Sequence, residues 1–119
     1  MNIHEIASIA HEANRQLCVI HGDLLQVSWD DCPPWQKDSA IDGVKFHLEH
    51  PHADPYASHE NWMRMKLHDG WVWGKEKDPA MKLHPCLMPY YDLPAEQKAK
   101  DVLFQSIVHG LRFFIEVEV

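Results

Sequence analysis

A chain of 119 residues that is 45% apolar and carries five tryptophans has material for one modest core, so a single domain over residues 1–119 is expected. Eleven Lys and Arg against eighteen Asp and Glu leave a formal charge of −7 with no run of three basic residues, which argues against DNA or RNA as a partner. Cys18, Cys32 and Cys86 are widely spaced with no C-x-x-C pair, so neither a zinc knuckle nor a disulfide framework is expected. The start, Met1-Asn2-Ile3-His4-Glu5, has neither the basic region nor the apolar run of a signal peptide, and no membrane-spanning run occurs, so the expected location is a reducing cytoplasm.

In chain order, Ile3, Ile6, Ala7, Ala10, Ala13 and Leu17 recur at i, i+3, i+4 and predict an amphipathic helix from Asn2, its N-cap, to about Cys18, with Gly22 beyond its end. Residues 23–32 read as a linker around Trp29. Pro33-Pro34 opens a second helix with Asp31 or Cys32 near the cap; Trp35, Ile41, Val44 and Leu48 line one face, and Pro51 stops it. A third helix is predicted over 55–68, where Ser58, Trp62 and Lys66 are spaced at four, and Asp69-Gly70 ends it. Trp71-Val72-Trp73-Gly74 is better read as strand, since aromatic and β-branched residues suit a pleated surface. Pro79, Pro85 and Pro89 punctuate residues 75–92, which predicts an ordered surface loop. The last helix runs from about 92–94 to 113 with Leu103, Phe104, Ile107, Val108 and Leu111 as its buried stripe, and the alternation over 116–119 suits an edge strand or a frayed end. The expected fold class is α+β, mostly helical: four helices, a short β-hairpin element and a proline-rich ordered loop. His11-Glu12-Ala13-Asn14 faintly echoes His59-Glu60-Asn61-Trp62, too short a match to claim a duplication.

Several motifs fall in a fixed order: Ser58-His59-Glu60-Asn61-Trp62, Gly70-Trp71-Val72-Trp73-Gly74, Lys77-Asp78, Lys82-Leu83-His84-Pro85-Cys86-Leu87, Pro89-Tyr90 and Leu93-Pro94. Together they resemble the ryanodine-receptor repeat, or RyR domain, in its small free-standing prokaryotic and viral form. The likeness covers residues 53–113, with 1–52 as an N-terminal helical extension and one copy where the animal channels have tandem pairs. No channel pore is present, so ion conduction is not implied. The resemblance implies a compact α+β module with an aromatic-basic pocket for a nucleotide-like ligand, and its positions correspond here to Trp62, Trp71, Lys77, Asp78 and His84.

The residues themselves allow this chemistry: an indole offers a planar base a stacking surface, and an ammonium neutralises phosphate. The bland reading is that the indoles are core and the lysines solvated, with Trp73 the more core-like. His84 is either a ligand donor or a loop staple, and Asp78 either a ribose contact or a turn residue. His59-Glu60 point about 100° apart on a helix and suit packing better than acid–base work. The run His47, His50, His52 is broken by Pro51 and makes a poor metal site. Walker A, G-x-S-x-G, H-E-x-x-H and G-x-G-x-x-G are absent. The expectation is therefore a binding module, with no enzyme activity, cofactor, metal or membrane contact, and with a protein-interaction module as the alternative. A single repeat and the apolar run Leu111, Phe113, Phe114, Ile115 also suggest a homodimer.

Overall fold

The computed structural model describes residues 1–115, so the alternating tail lies outside the described residues. Four helices carry the fold: α1 (Ile3–Ile20), α2 (Pro34–Glu49), α3 (Pro55–His68) and α4 (Ala95–Leu111). Their ends follow local chemistry. Asn2 and Glu5 form a reciprocal capping box at the start of α1, and Asp54 accepts from the Ala57 N–H at the start of α3. At α2 the expected Asp31 or Cys32 cap is not made. The N-cap is Pro33, which has no side-chain hydrogen bond to give, while Asp31 is drawn into a 3-10 turn (Trp29–Asp31) and accepts from Ser28 Oγ at 3.1 Å. Helix α4 ends at Leu111, slightly before its expected limit, and Arg112–Phe114 tighten into another 3-10 turn. Among the described residues no helix is long and apolar enough to cross a membrane.

Burial of the apolar stripes of α1, α2 and α4 against one another makes the core. Ile6 and Ala7 of α1, Val44 of α2 and Val108 of α4 are fully buried and in mutual contact, with Ile3, Ile41, Leu48, Phe104 and Leu111 packed around them. Each large side chain so buried contributes about 1.5–3 kcal/mol relative to exposure. The expected α4 stripe is thus inside, but Phe113 and Phe114 are 77% and 64% exposed.

The β element differs from a hairpin. Strand β1 (Val72–Trp73) pairs in parallel with β2 (Leu83–His84), through Val72 N–H to the Lys82 carbonyl at 2.9 Å and Gly74 N–H to the His84 carbonyl at 3.3 Å. The loop between them doubles back first: Asp78 and Leu83 exchange both backbone hydrogen bonds at 2.9 Å in an isolated antiparallel bridge, and Lys82 turns the chain at φ 55°. A glycine is required at 74 for close approach, since a Cβ there would stand 2.6 Å from the Leu83 Cβ.

Two histidines staple loops to helices. His11 Nε2 lies 2.7 Å from the Val27 carbonyl and His59 Nε2 lies 2.8 Å from the Met88 carbonyl, both rings being buried. The histidines of the short sequence echo thus both bond a backbone carbonyl of a later loop, 16 and 29 residues on. His47, also buried, reaches Ser58 Oγ at 2.9 Å and ties α2 to α3. His50 is exposed and stacks on Phe46, so these two members of the histidine run face different surroundings.

Candidate functional site

The tryptophans are sorted by the strand. Trp71, one residue before β1, is turned inward and is 5% exposed, whereas Trp73 is 55% exposed, the reverse of the expectation that Trp73 is core. Trp71 is drawn in because α2 presents Trp35 to it, with ring centroids 5.2 Å apart at 50°. Trp62, half-buried on α3, stacks on His59 (5.5 Å, 27°) and meets the edge of His84 at 4.9 Å. His84 in turn lies 6.2 Å from Trp71. Helix α3, the two strands and the start of α2 therefore converge on one aromatic cluster.

Two ammonium groups sit in that cluster. Lys66, one turn after Trp62 on α3, is only 3% exposed, and its Nζ lies 5.0 Å from the ring centroids of both Trp35 and Trp71. Lys77 is an exposed residue, yet its Nζ lies 5.3 Å from the same Trp35 ring. Among the described residues, neither ammonium has a carboxylate within ion-pair distance or a hydrogen-bond acceptor. Burial lowers the pKa of each, and for Lys66 the neighbouring Lys77 pushes the same way while Asp69 opposes. Cation–π contact is their main compensation, worth about 0.5–2 kcal/mol per pair.

His84 is the neutral member. Its Nδ1 accepts from the Cys86 N–H at 3.0 Å, which places the proton on Nε2, and burial, helped by Lys77 and Lys66, depresses its pKa to about 4. It is then a hydrogen-bond donor at neutral pH without being a cation. Asp78 is spent on the loop turn, where Oδ1 accepts from the Met81 N–H at 3.2 Å. Of the five residues expected at the site, the structure thus brings together Trp62, Trp71, Lys77 and His84, and adds Trp35 and Lys66. Lys66 was foreshadowed by the spacing of four that links Ser58, Trp62 and Lys66. No signal on α2 pointed Trp35 at a lysine pair.

An open groove of about 610 Å³ between α2 and α3, lined by Lys45, Phe46, Tyr56, Glu60 and Arg64 among others, includes none of these residues. Its lining mixes both signs of charge and gives no ligand a direction, whereas the aromatic cluster gathers two ammonium groups with no carboxylate within ion-pair distance among the described residues. The thiols beside the cluster do not read as nucleophiles, because burial raises the Cys32 and Cys86 pKa values and stabilises the protonated form.

This arrangement of a His-Glu-x-Trp helix, a Gly-Trp-x-Trp-Gly strand, a lysine and a His-Pro loop is what the motif order implied, and a comparison with protein-family models agrees. Residues 45–119 match the RyR domain model, and the chain belongs to the RyR domain family.

Proposed function

We propose that this RyR domain binds a small anionic, nucleotide-like ligand at the Lys66–Lys77–His84 face of its aromatic cluster, acting as a sensor or sequestering module. One observation carries the proposal: the ammonium groups of the buried Lys66 and of Lys77 converge on a single indole, with no carboxylate among the described residues within ion-pair distance of either. Removing an ammonium from water without a counter-ion costs several kcal/mol, and a bound phosphate or carboxylate offsets that cost. The neutral Nε2–H of His84 adds a donor, and the half-buried Trp62 beside it has indole surface left for a planar group. Base stacking on such a ring is worth about 1–3 kcal/mol.

A thermal-shift series with nucleotides, cyclic nucleotides and pyrophosphate at neutral pH tests this. A ligand present at 100 times its Kd adds about 2.7 kcal/mol of stability. The shift is expected to shrink with salt and to vanish in Lys77→Glu, whose own melting temperature should stay near wild type because the position is exposed. A ligand shift that survives the charge reversal overturns the role given to Lys77.

A second reading, a protein-interaction module or homodimer, is favoured by Phe113, Phe114 and Trp73, all more than half exposed. Light scattering separates it: a mass of 13.9 kDa with and without nucleotide removes the dimer, and twice that mass supports it.

A further inference from the structure

We propose that His47 and His109 form a two-coordinate site for a soft monovalent metal ion, copper(I) or its analogue silver(I), bound through His47 Nδ1 and His109 Nε2. The inference is independent of the anion-binding reading above and shares no residue with it.

His47 lies in the last turn of α2 and His109 in the last turn of α4, and their ring centroids are 6.0 Å apart with planes at 83°. Each ring carries one nitrogen that is buried and has no hydrogen-bond partner among the described residues, Nδ1 in His47 and Nε2 in His109. Buried polar atoms are nearly always paired, so two orphans on neighbouring rings call for an explanation, of which a bound ion is one. His47 is 1% exposed, and bulk solvent cannot serve its Nδ1. The other nitrogen of the same ring lies 2.9 Å from Ser58 Oγ on α3. With the Nε2 proton donated to that hydroxyl, the lone pair is left on Nδ1, and this is how metal-binding histidines are commonly oriented. Burial, with a smaller contribution from His109, lowers the His47 pKa to about 4, so at neutral pH a metal displaces no proton from it.

Distance and surroundings select the ion. A nitrogen–metal bond of about 2.0 Å and a ring radius of roughly 1.1 Å put two centroids about 6 Å apart when the ion lies almost on the line between them, and about 5 Å apart at a tetrahedral angle. The observed 6.0 Å fits the wide angle. Aromatic rings surround His47, with Phe46 and Phe104 centroids at 5.5 and 5.9 Å. Among the described residues no group of three or more His, Cys, Asp or Glu is placed to hold a metal. Zinc, which takes four donors and carries two charges, is poorly served there. A d10 monovalent ion accepts two donors in line and brings half the charge into an apolar site. Its binding would tie the end of α2 to the end of α4.

Copper(I) titrated into the metal-free protein against a chromogenic chelator, with X-ray absorption at the copper edge, tests this. One equivalent is expected to bind and to raise the melting temperature, with two nitrogen scatterers and no sulfur. His109→Gln is expected to weaken copper(I) binding at least a hundredfold and to abolish the thermal shift. Ser58→Ala should weaken it about tenfold through loss of the orienting bond. Because His109 is only half-buried, its variant reads the site even if His47→Gln fails to fold. His50→Gln, at an exposed ring stacked on Phe46, should leave binding unchanged. Sulfur bound to the copper would assign the ion to Cys18, Cys32 or Cys86 and overturn the site. Absence of binding, unchanged affinity in His109→Gln, or a larger thermal shift with zinc would overturn it equally.

Discussion

Replacing Lys66 by methionine is expected to cost ligand affinity about a hundredfold and to cost the fold almost nothing. The affinity term follows from losing a charge-assisted hydrogen bond, worth about 1.5–3 kcal/mol, at a site where the ammonium has no other anion. The stability term follows from two opposed effects. Methionine matches the lysine stem in length and flexibility and keeps the packing between Trp35 and Trp71, but it forfeits two cation–π contacts of about 0.5–2 kcal/mol each. Against that, it abolishes the desolvation cost that lowers the Lys66 pKa. The sign is set by linkage. The folded-state pKa of Lys66 lies below its ordinary value because burial disfavours the charged form, so holding the proton costs the folded state stability. That cost fades as pH rises towards the ordinary lysine range. Urea unfolding at pH 7 should therefore place Lys66→Met within about 1 kcal/mol of wild type or above it. A loss of several kcal/mol would identify Lys66 as a structural cation and remove the main support for an anion site.

Acid should unfold the protein along a limb whose shape is set by one buried and two half-buried groups. His47 is 1% exposed, and burial, with a smaller contribution from His109, lowers its pKa to about 4. His84 is lowered to about 4 as well. In the unfolded chain both take up protons near 6.5, so stability is lost as pH falls from about 6.5 to 4. The shift of His47 corresponds to about 3 kcal/mol at 1.36 kcal/mol per unit. Asp101 acts in the opposite sense. Burial raises its carboxyl to about 6, and its Oδ2 has no hydrogen-bond partner, so the folded state takes up a proton before the unfolded chain does. Stability is therefore gained from Asp101 as pH falls from about 6 to 4, offsetting one of the histidines. Unfolding free energies measured between pH 7 and 4 should show a flatter acid limb in His47→Gln and a steeper one in Asp101→Asn. Coincident limbs in His47→Gln and wild type would mean that His47 carries no proton-linked stability.

The long periodic segments were legible in the sequence because their physics is local. Asn2 and Glu5 announce a capping box, Pro55 and Asp69-Gly70 bracket α3, and the apolar spacing of α1 and α4 names the faces that meet in the core. The parallel strand pair was not legible. Its second strand sits inside a proline-punctuated loop, and its pairing depends on a backbone reversal at Lys82 that no propensity scale marks. The exchange of roles between Trp71 and Trp73 has a similar origin. Alternation says that neighbouring strand residues face apart, but which of them faces inward is decided by Trp35, supplied from thirty-odd positions earlier. The candidate site divides along the same line. Trp62, Trp71, Lys77 and His84 came from motif order and the spacing along α3 put Lys66 on the face of Trp62, whereas Trp35 emerges only when α2 and α3 are packed together. Asp78 fitted a ligand role and a turn role equally well as a residue type, and in the folded chain it makes the turn.

The core described above also separates two boundaries that are easily taken as one. Of the four fully buried side chains at its centre, Ile6, Ala7 and Val44 all precede residue 45, where the match to the family begins, and only Val108 lies beyond it. The stretch by which the chain is recognised is therefore not the stretch that holds itself together. Cutting at the recognisable edge would strip Val108 of its three partners and take Trp35 from the lysines. Grafting or shuffling this module into another protein would have to carry the first two helices along as its foundation.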